Sequence, residues 1–161
     1  MNDAIPRIRN IVTNRKALRD YDIIEKREVG IELLGSEVKS LRAGKVNLAD
    51  SYAAIDGGQV FLFNLHISPY EFSGHESHQP TRPRRLLLHK KEIRRLFGAT
   101  NEKGFTLIPL RIYFKGPYVK IELATARGRK MYDKRDKIAK READRSIEKA
   151  HRRSMKNKNH E

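Results

Sequence analysis

The chain is 161 residues and 18.7 kDa, the size of one domain with an extension, and its 38% hydrophobic and 34% charged residues leave part of it with nothing to pack. Thirty-five Lys and Arg against 20 Asp and Glu give +15, a balance that points to a polyanion, nucleic acid first; without Trp, the apolar-faced helix of a membrane-surface protein is poorly supported. With no cysteine, disulfides, thiolate catalysis and thiolate metal sites are excluded, and no apolar run reaches the length of a membrane span.

In chain order, residues 1–13 have no strong pattern and are expected to be a flexible N-terminal segment. "TNRKALRDY" predicts a short helix capped by Thr13 or Asn14, with Ala17, Leu18 and Tyr21 inward. Val29, Ile31 and Leu33 then alternate as in a half-buried strand. "GSEVKSLRAG", Gly35 to Gly44, reads as a continuation in which the apolar face changes sides, so Gly35 is expected to be a sharp bend of a coiled strand, or else a loop residue between two shorter strands. Asp56-Gly57-Gly58 marks a turn, and Phe61, Phe63, Leu65 and Ile67 alternate after it.

"ESHQPTRPRR", Glu76 to Arg85, carries two prolines and three arginines and predicts a basic surface loop. "LLLHKKEIRRLFG" places Leu86, Leu87, His89, Ile93, Leu96 and Phe97 at helical spacing, with Gly98 as its C-terminal cap. Ile108, Leu110, Ile112 and Phe114, then Val119, Ile121 and Leu123, form two strands joined at Lys115-Gly116-Pro117 as a hairpin. From Arg129 on, 13 Lys and Arg face 6 Asp and Glu. In helical projection, Lys134, Lys137, Arg141, Arg145, Lys149 and Arg152 share one stripe, opposite Ala139, Ala143, Ile147 and Ala150. Such a tail lacks the apolar area to dock on its own domain, and is expected to be disordered alone and to fold against RNA.

The fold expected is therefore mainly β: a small closed antiparallel β-barrel, OB-fold-like, over residues 14–128, with two or three short helices and a basic C-terminal tail over 129–161. No catalytic constellation is visible. "HESH", His75 to His78, has no third ligand fixed nearby, so no metal and no cofactor is expected. Cations on such a domain supply phosphate contacts, and with 7% aromatic residues shape recognition of a folded RNA fits better than a stacking platform. Glu28 is the exception in a basic setting, a carboxylate useful for accepting from a base or for orienting a neighbouring cation, or else a salt-bridge partner of a surface cation such as Arg27.

"NRKALRDYDI", "GIELLGSEVKSLRAGKVNLADSYA", "PTRPRRLLLHKKEI" and "GRKMYDKRDKIAKRE" together resemble the signature blocks of the SmpB family, small basic proteins that partner transfer-messenger RNA (tmRNA) in bacterial ribosome rescue. The likeness spans roughly Asn14 to Glu142 in order. It implies a bacterial cytoplasmic, monomeric, non-enzymatic adaptor. Glu28, Leu87 and Lys120 would form the face that holds the tRNA-like domain of tmRNA, helped by Asn14, Arg15 and Lys39. The tail would enter the empty mRNA channel and decoding region of a stalled ribosome, against 16S rRNA of the small subunit. Its implied contacts are Gly128, Arg129, Lys130, Tyr132, Asp133, Lys134, Arg135, Lys137, Arg141 and Arg145. Arg19 stands where the family commonly has histidine; arginine can also stack or contact phosphate. The rival reading on charge and fold class alone is a ribosomal or ribosome-assembly rRNA-binding protein.

Overall fold

A computed structural model gives the structure of the chain and describes residues 5–72, 74, 77–102, 104–129 and 138–149. The chain divides into two compact units at Gly128/Arg129. The first is mainly β. In order it runs β1 (Ile8–Thr13), α1 (Arg15–Asp20), β2 (Tyr21–Ile31), α2 (Gly35–Arg42), β3 (Val46–Asn47), β4 (Tyr52–Asp56), β5 (Gln59–Phe63), β6 (His66–Ile67), β7 (Arg84–Leu87), α3 (Lys90–Thr100), β8 (Phe105–Lys115) and β9 (Tyr118–Gly128). Seven strands pair antiparallel in the order β1-β8-β4-β5-β7-β2-β9, and β9 pairs back onto β8, so the neighbours form a ring with β1 added to the edge of β8. β3 and β6 make a separate two-stranded ladder.

Two short hairpins set the registers. Gly57 and Gly58 both sit at positive φ between Asp56 and Gln59, and Gly116, φ 58°, opens the turn that pairs Lys115 with Tyr118. Inside the ring, Val29, Ile31, Val60, Leu62, Leu86, Leu107, Ile112, Ile121 and Leu123 meet Leu41 of α2 and Ile93 and Leu96 of α3. A second, smaller cluster lies on the outside of β8 and β9, where Ala17 of α1 covers Ile108, Leu110, Ala124 and Ala126. Asn14 caps α1: its Oδ1 accepts the Ala17 amide at 3.0 Å, and its Nδ2 donates to the Pro109 carbonyl at 3.1 Å.

Several expectations are corrected. Residues 8–13 of the segment expected to be flexible form β1, because "IRNIVT" offers β-branched residues to the free edge of β8. Gly35 to Gly44 is neither a bent strand nor a loop but helix α2. Leu34, Val38 and Leu41 are spaced i, i+4, i+7, Glu37 accepts the Leu34 amide at 2.9 Å as half of a capping box, and Gly44, φ 72°, ends the helix with its amide on the Leu41 carbonyl. The change of face assigned to Gly35 occurs instead at register shifts in β2, between Ile23 and Glu25, and in β8, between Pro109 and Arg111. In β5 the inward pair is Val60 and Leu62, not Phe61 and Phe63; Asn64, φ 59°, then inverts the phase so that Leu65 and Ile67 are buried.

Leu86 and Leu87 lie in β7 rather than in a helix, since Arg84 and Leu86 face inward while Arg85 and Leu87 face out. Helix α3 starts after His89, whose amide donates to Glu92, and runs through Gly98 to Thr100. The loop before β7 is not a row of surface arginines. Arg84 is fully buried against the equally buried Glu37, 2.8 Å away, and donates to the Leu65 and Pro80 carbonyls at 2.6 and 2.9 Å. Arg82 forks onto the same carboxylate at 2.9 and 2.7 Å. His78, also buried, donates from Nε2 to the Ile67 carbonyl and so accepts at Nδ1 from the Ser36 hydroxyl.

In the second unit, residues 138–149 form a helix, α4, exposed along its whole length. The Ala, Glu, Lys and Arg content of these residues favours a helix locally without packing.

Burial alone would raise the Glu37 carboxyl, but the Arg82 hydrogen bonds, the Leu34 amide and the Arg84 charge outweigh it and hold the group below its ordinary 4.5. A folded value below the unfolded one means that this stabilisation is complete above about pH 4.5 and is lost as pH falls through the folded value. Glu37→Gln is expected to lower stability by about 3–5 kcal/mol, because it strands the Arg84 charge in the interior. Urea unfolding at neutral pH measures that loss, and the same series taken to acid should show a flatter pH dependence in the variant.

Candidate nucleic-acid interface

The outer face of β2 and β9 is built around a residue with no side chain. Gly30 pairs with Leu87 of β7 on one side and Lys120 of β9 on the other. A Cβ on Gly30 would meet the Leu87 side chain at 3.2 Å, so glycine here lets Leu87, itself 50% exposed, lie against the strand. Lys120 is in turn in register with Tyr113 of β8. One row across the sheet therefore reads Leu87, Gly30, Lys120, Tyr113.

Two residues along β2 on the same face stands Glu28, opposite Glu122. Like charges across a ladder repel, and cations offset both. Arg111 binds Glu122 at 3.0 Å, while Lys115 binds Glu28 Oε1 at 2.9 Å. The Tyr113 hydroxyl donates to Glu28 Oε2 at 2.5 Å, and the Arg111 guanidinium lies over the Tyr113 ring, 4.6 Å from its centroid. The phenol's hydrogen bond first, and Lys115 second, hold the Glu28 carboxyl below its ordinary value. Burial and that same carboxylate push the Tyr113 phenol well above its usual value.

The result is a fixed, ionised carboxylate with lone pairs to spare, an exposed apolar patch and a set of ammonium and guanidinium groups on one surface. A carboxylate so placed can accept from N–H or hydroxyl groups, the cations can meet phosphates, and Leu87 offers an apolar contact.

Of the residues singled out from sequence, Glu28, Leu87 and Lys120 come together. Asn14 does not join them: it is buried, and its amide is consumed by the cap and by two carbonyls, Leu48 and Pro109. Arg15 is exposed on α1, whose Ala17 packs on Ala124 and Ala126, toward the far end of β9 from Lys120. Lys39 is on α2, with its ammonium 5.3 Å from the Tyr70 ring centre. Gly128 ends β9 opposite Tyr21, Arg129 follows it, and Arg141 and Arg145 are exposed on α4. Lys130, Tyr132, Asp133, Lys134, Arg135 and Lys137 lie outside the described residues, as do His75 and Glu76. Among the described residues no group of three His, Cys, Asp or Glu is placed to hold a metal ion. Tyr113, Lys115 and Arg111 were missed, although their alternation with Ile112 and Phe114 on β8 marked them as one outward row.

Fold and face together are those of a small, basic, mainly β binding domain. The family model described as SmpB protein matches residues 11–153, and the chain belongs to the SmpB family. A similar relative is the SsrA-binding protein of Carboxydothermus hydrogenoformans, 61% identical over 140 residues that cover 87% of this chain and 94% of that protein. The SsrA-binding protein of Desulforudis audaxviator is 57% identical over 144 residues, covering 89% and 94%. A solved structure described as "tmRNA-SmpB: a journey to the center of the bacterial ribosome" contains a chain that is 50% identical, with a TM-score of 0.64, over 74% of this chain and 85% of that one.

Tyr113→Phe removes the largest influence on Glu28 and keeps the ring. The Glu28 carboxyl is then expected to titrate closer to its ordinary 4.5, followed by carbon NMR of the labelled side chain. A titration curve identical to the wild type would mean that Lys115 alone holds the carboxylate.

Proposed function

We propose that this chain is a non-enzymatic adaptor of trans-translation in the bacterial cytoplasm. It binds the tRNA-like domain of tmRNA and brings it to stalled ribosomes. The observation that carries this reading is the convergence of Glu28, Leu87 and Lys120 on one outer face, around a glycine that lets Leu87 lie flat. The SsrA-binding name of the relatives and the tmRNA–ribosome setting of the solved neighbour support it.

The ring of strands is read as a closed OB-like barrel, an architecture that often hosts oligonucleotides. On this reading the face recognises the shape of a folded RNA, through phosphate and 2′-hydroxyl contacts anchored by Glu28. The basic tail from Arg129 enters the vacant mRNA channel, where Arg141 and Arg145 of α4 meet 16S rRNA phosphates, and barrel and tail together stand in for a tRNA.

The test is a gel-shift titration against the tRNA-like domain and an equal-length RNA duplex near physiological salt. Tight binding to the first and weak, salt-labile binding to the second is expected; equal affinities would sink the shape-specific reading. Lys120→Ala should weaken the first complex and flatten its salt dependence by the equivalent of one phosphate, a log–log slope change of about 0.9. Truncation after Gly128 is expected to leave tmRNA binding in place and to abolish tagging in a reconstituted translation assay.

A further inference from the structure

A second group of cations lies away from the face just described. Arg7, at the entry to β1, Arg9 in β1 and Arg42 in the last turn of α2 line a cleft of about 450 Å³, together with Phe114, Gly116 and Pro117. Many cations of this domain sit within 4.0 Å of a carboxylate, as Lys16 does with Asp50, Arg85 with Glu32 and Lys115 with Glu28. Arg7, Arg9 and Arg42 have no such partner among the described residues, and no carboxylate lines the cleft. Three like charges around one concavity cost little while water fills it, and they focus a positive potential there.

Strand alternation decides which way the cleft opens. On β8, Ile112 and Phe114 belong to the core side, and Tyr113 and Lys115 to the outer side that carries Glu28. Arg9 is in register with Phe114 and its guanidinium lies over that ring, 5.0 Å from the centroid. The cleft is therefore on the opposite face of β8 from the Glu28 cluster. Ring and guanidinium already form a stack, and a guanidinium plane so held accepts a nucleobase or ribose on top of it.

We propose that this cleft is a second RNA site, which takes a nucleotide of a single-stranded segment with its phosphate on Arg7 and Arg42 and its base on the Arg9–Phe114 stack. The proposal rests on the reading of the chain as an RNA binder. It adds that the two faces of β8 hold two RNA segments at once.

The experiment uses the full chain saturated with the tmRNA tRNA-like domain and adds a labelled single-stranded RNA of about a dozen nucleotides, a length within the usual site size of such domains. In a variant carrying Arg7→Gln, Arg9→Gln and Arg42→Gln, fluorescence anisotropy should show the added strand bound at least about tenfold more weakly. Its log–log salt slope should be shallower by about 0.7 for each phosphate that the variant no longer neutralises. Binding of the tRNA-like domain by the same variant should stay within about twofold. Arg9→Lys keeps the charge without the planar stack and is expected to lose part of the strand affinity.

Unchanged strand binding in the triple variant would overturn the site, as would an equal loss on both RNAs. So would an equal loss against a labelled duplex, which has no free base to stack. All three arginines are exposed, so thermal unfolding of the variant should match the wild type. Repeating the strand titration without the tRNA-like domain keeps the two readings apart: a chain that does not select that domain but loses the strand in the triple variant fails the adaptor reading alone.

Discussion

The buried ion pair between Glu37 and Arg84 is the constraint around which this domain is arranged. A carboxylate and a guanidinium with no exposure to water must complete each other and find donors and acceptors for what is left, since the interior offers no solvent to do it. The carboxylate takes Arg82, Arg84 and the Leu34 amide; the guanidinium takes the carbonyls of Leu65 and Pro80. Those partners come from the start of α2, the link between β5 and β6 and the loop before β7, so one pair of charges fixes how three separate stretches meet. Once Arg84 is placed, β7 has its phase. Leu86 must go in, and Leu87 must go out against Gly30. The apolar element of the outer face is thus oriented by an interaction on the other side of its own strand.

A second organising feature is that β8 and β9 are covered on both sides along part of their length. Ala124 and Ala126 face α1 while Ile121 and Leu123 face the main core, and the register shift in β8 lets Leu110 join the first group and Ile112 the second. Small residues at 124 and 126 are what allow a helix to approach so closely. The half of these strands that α1 leaves uncovered carries Lys115, Lys120 and Glu122, with the buried Tyr113 ring under the Arg111 guanidinium, so the position of α1 delimits the exposed face.

Much of this was legible in the amino-acid sequence. Period-two runs located β2, β8 and β9, the glycine turns located two hairpins, and of the two helix caps offered, Thr13 or Asn14, the structure uses Asn14. What was missed had local physical reasons. In "GSEVKSLRAG" an eight-residue helix and a bent strand predict nearly the same apolar positions, and the decisive fact, that Glu37 is buried, depends on arginines more than forty residues away. Arg84 looked like surface charge because its compensation is entirely tertiary. The phase error at Phe61 and Phe63 turns on one positive φ at Asn64, a residue whose left-handed conformation leaves no mark on hydrophobic spacing. That Glu28, Leu87 and Lys120 share one face was legible only by likeness to a family; Tyr113 could have been found from alternation alone.

The Glu28 cluster pairs two groups whose favoured protonation states support each other. Its carboxylate is stabilised as an anion, its phenol is stabilised as a neutral donor, and its remaining groups are lysine and arginine, with no imidazole among them. The hydrogen bond from Tyr113 to Glu28 serves both groups at once, favouring the ionised carboxylate and the protonated phenol. A group approaching this face from outside meets a carboxylate already oriented and already charged.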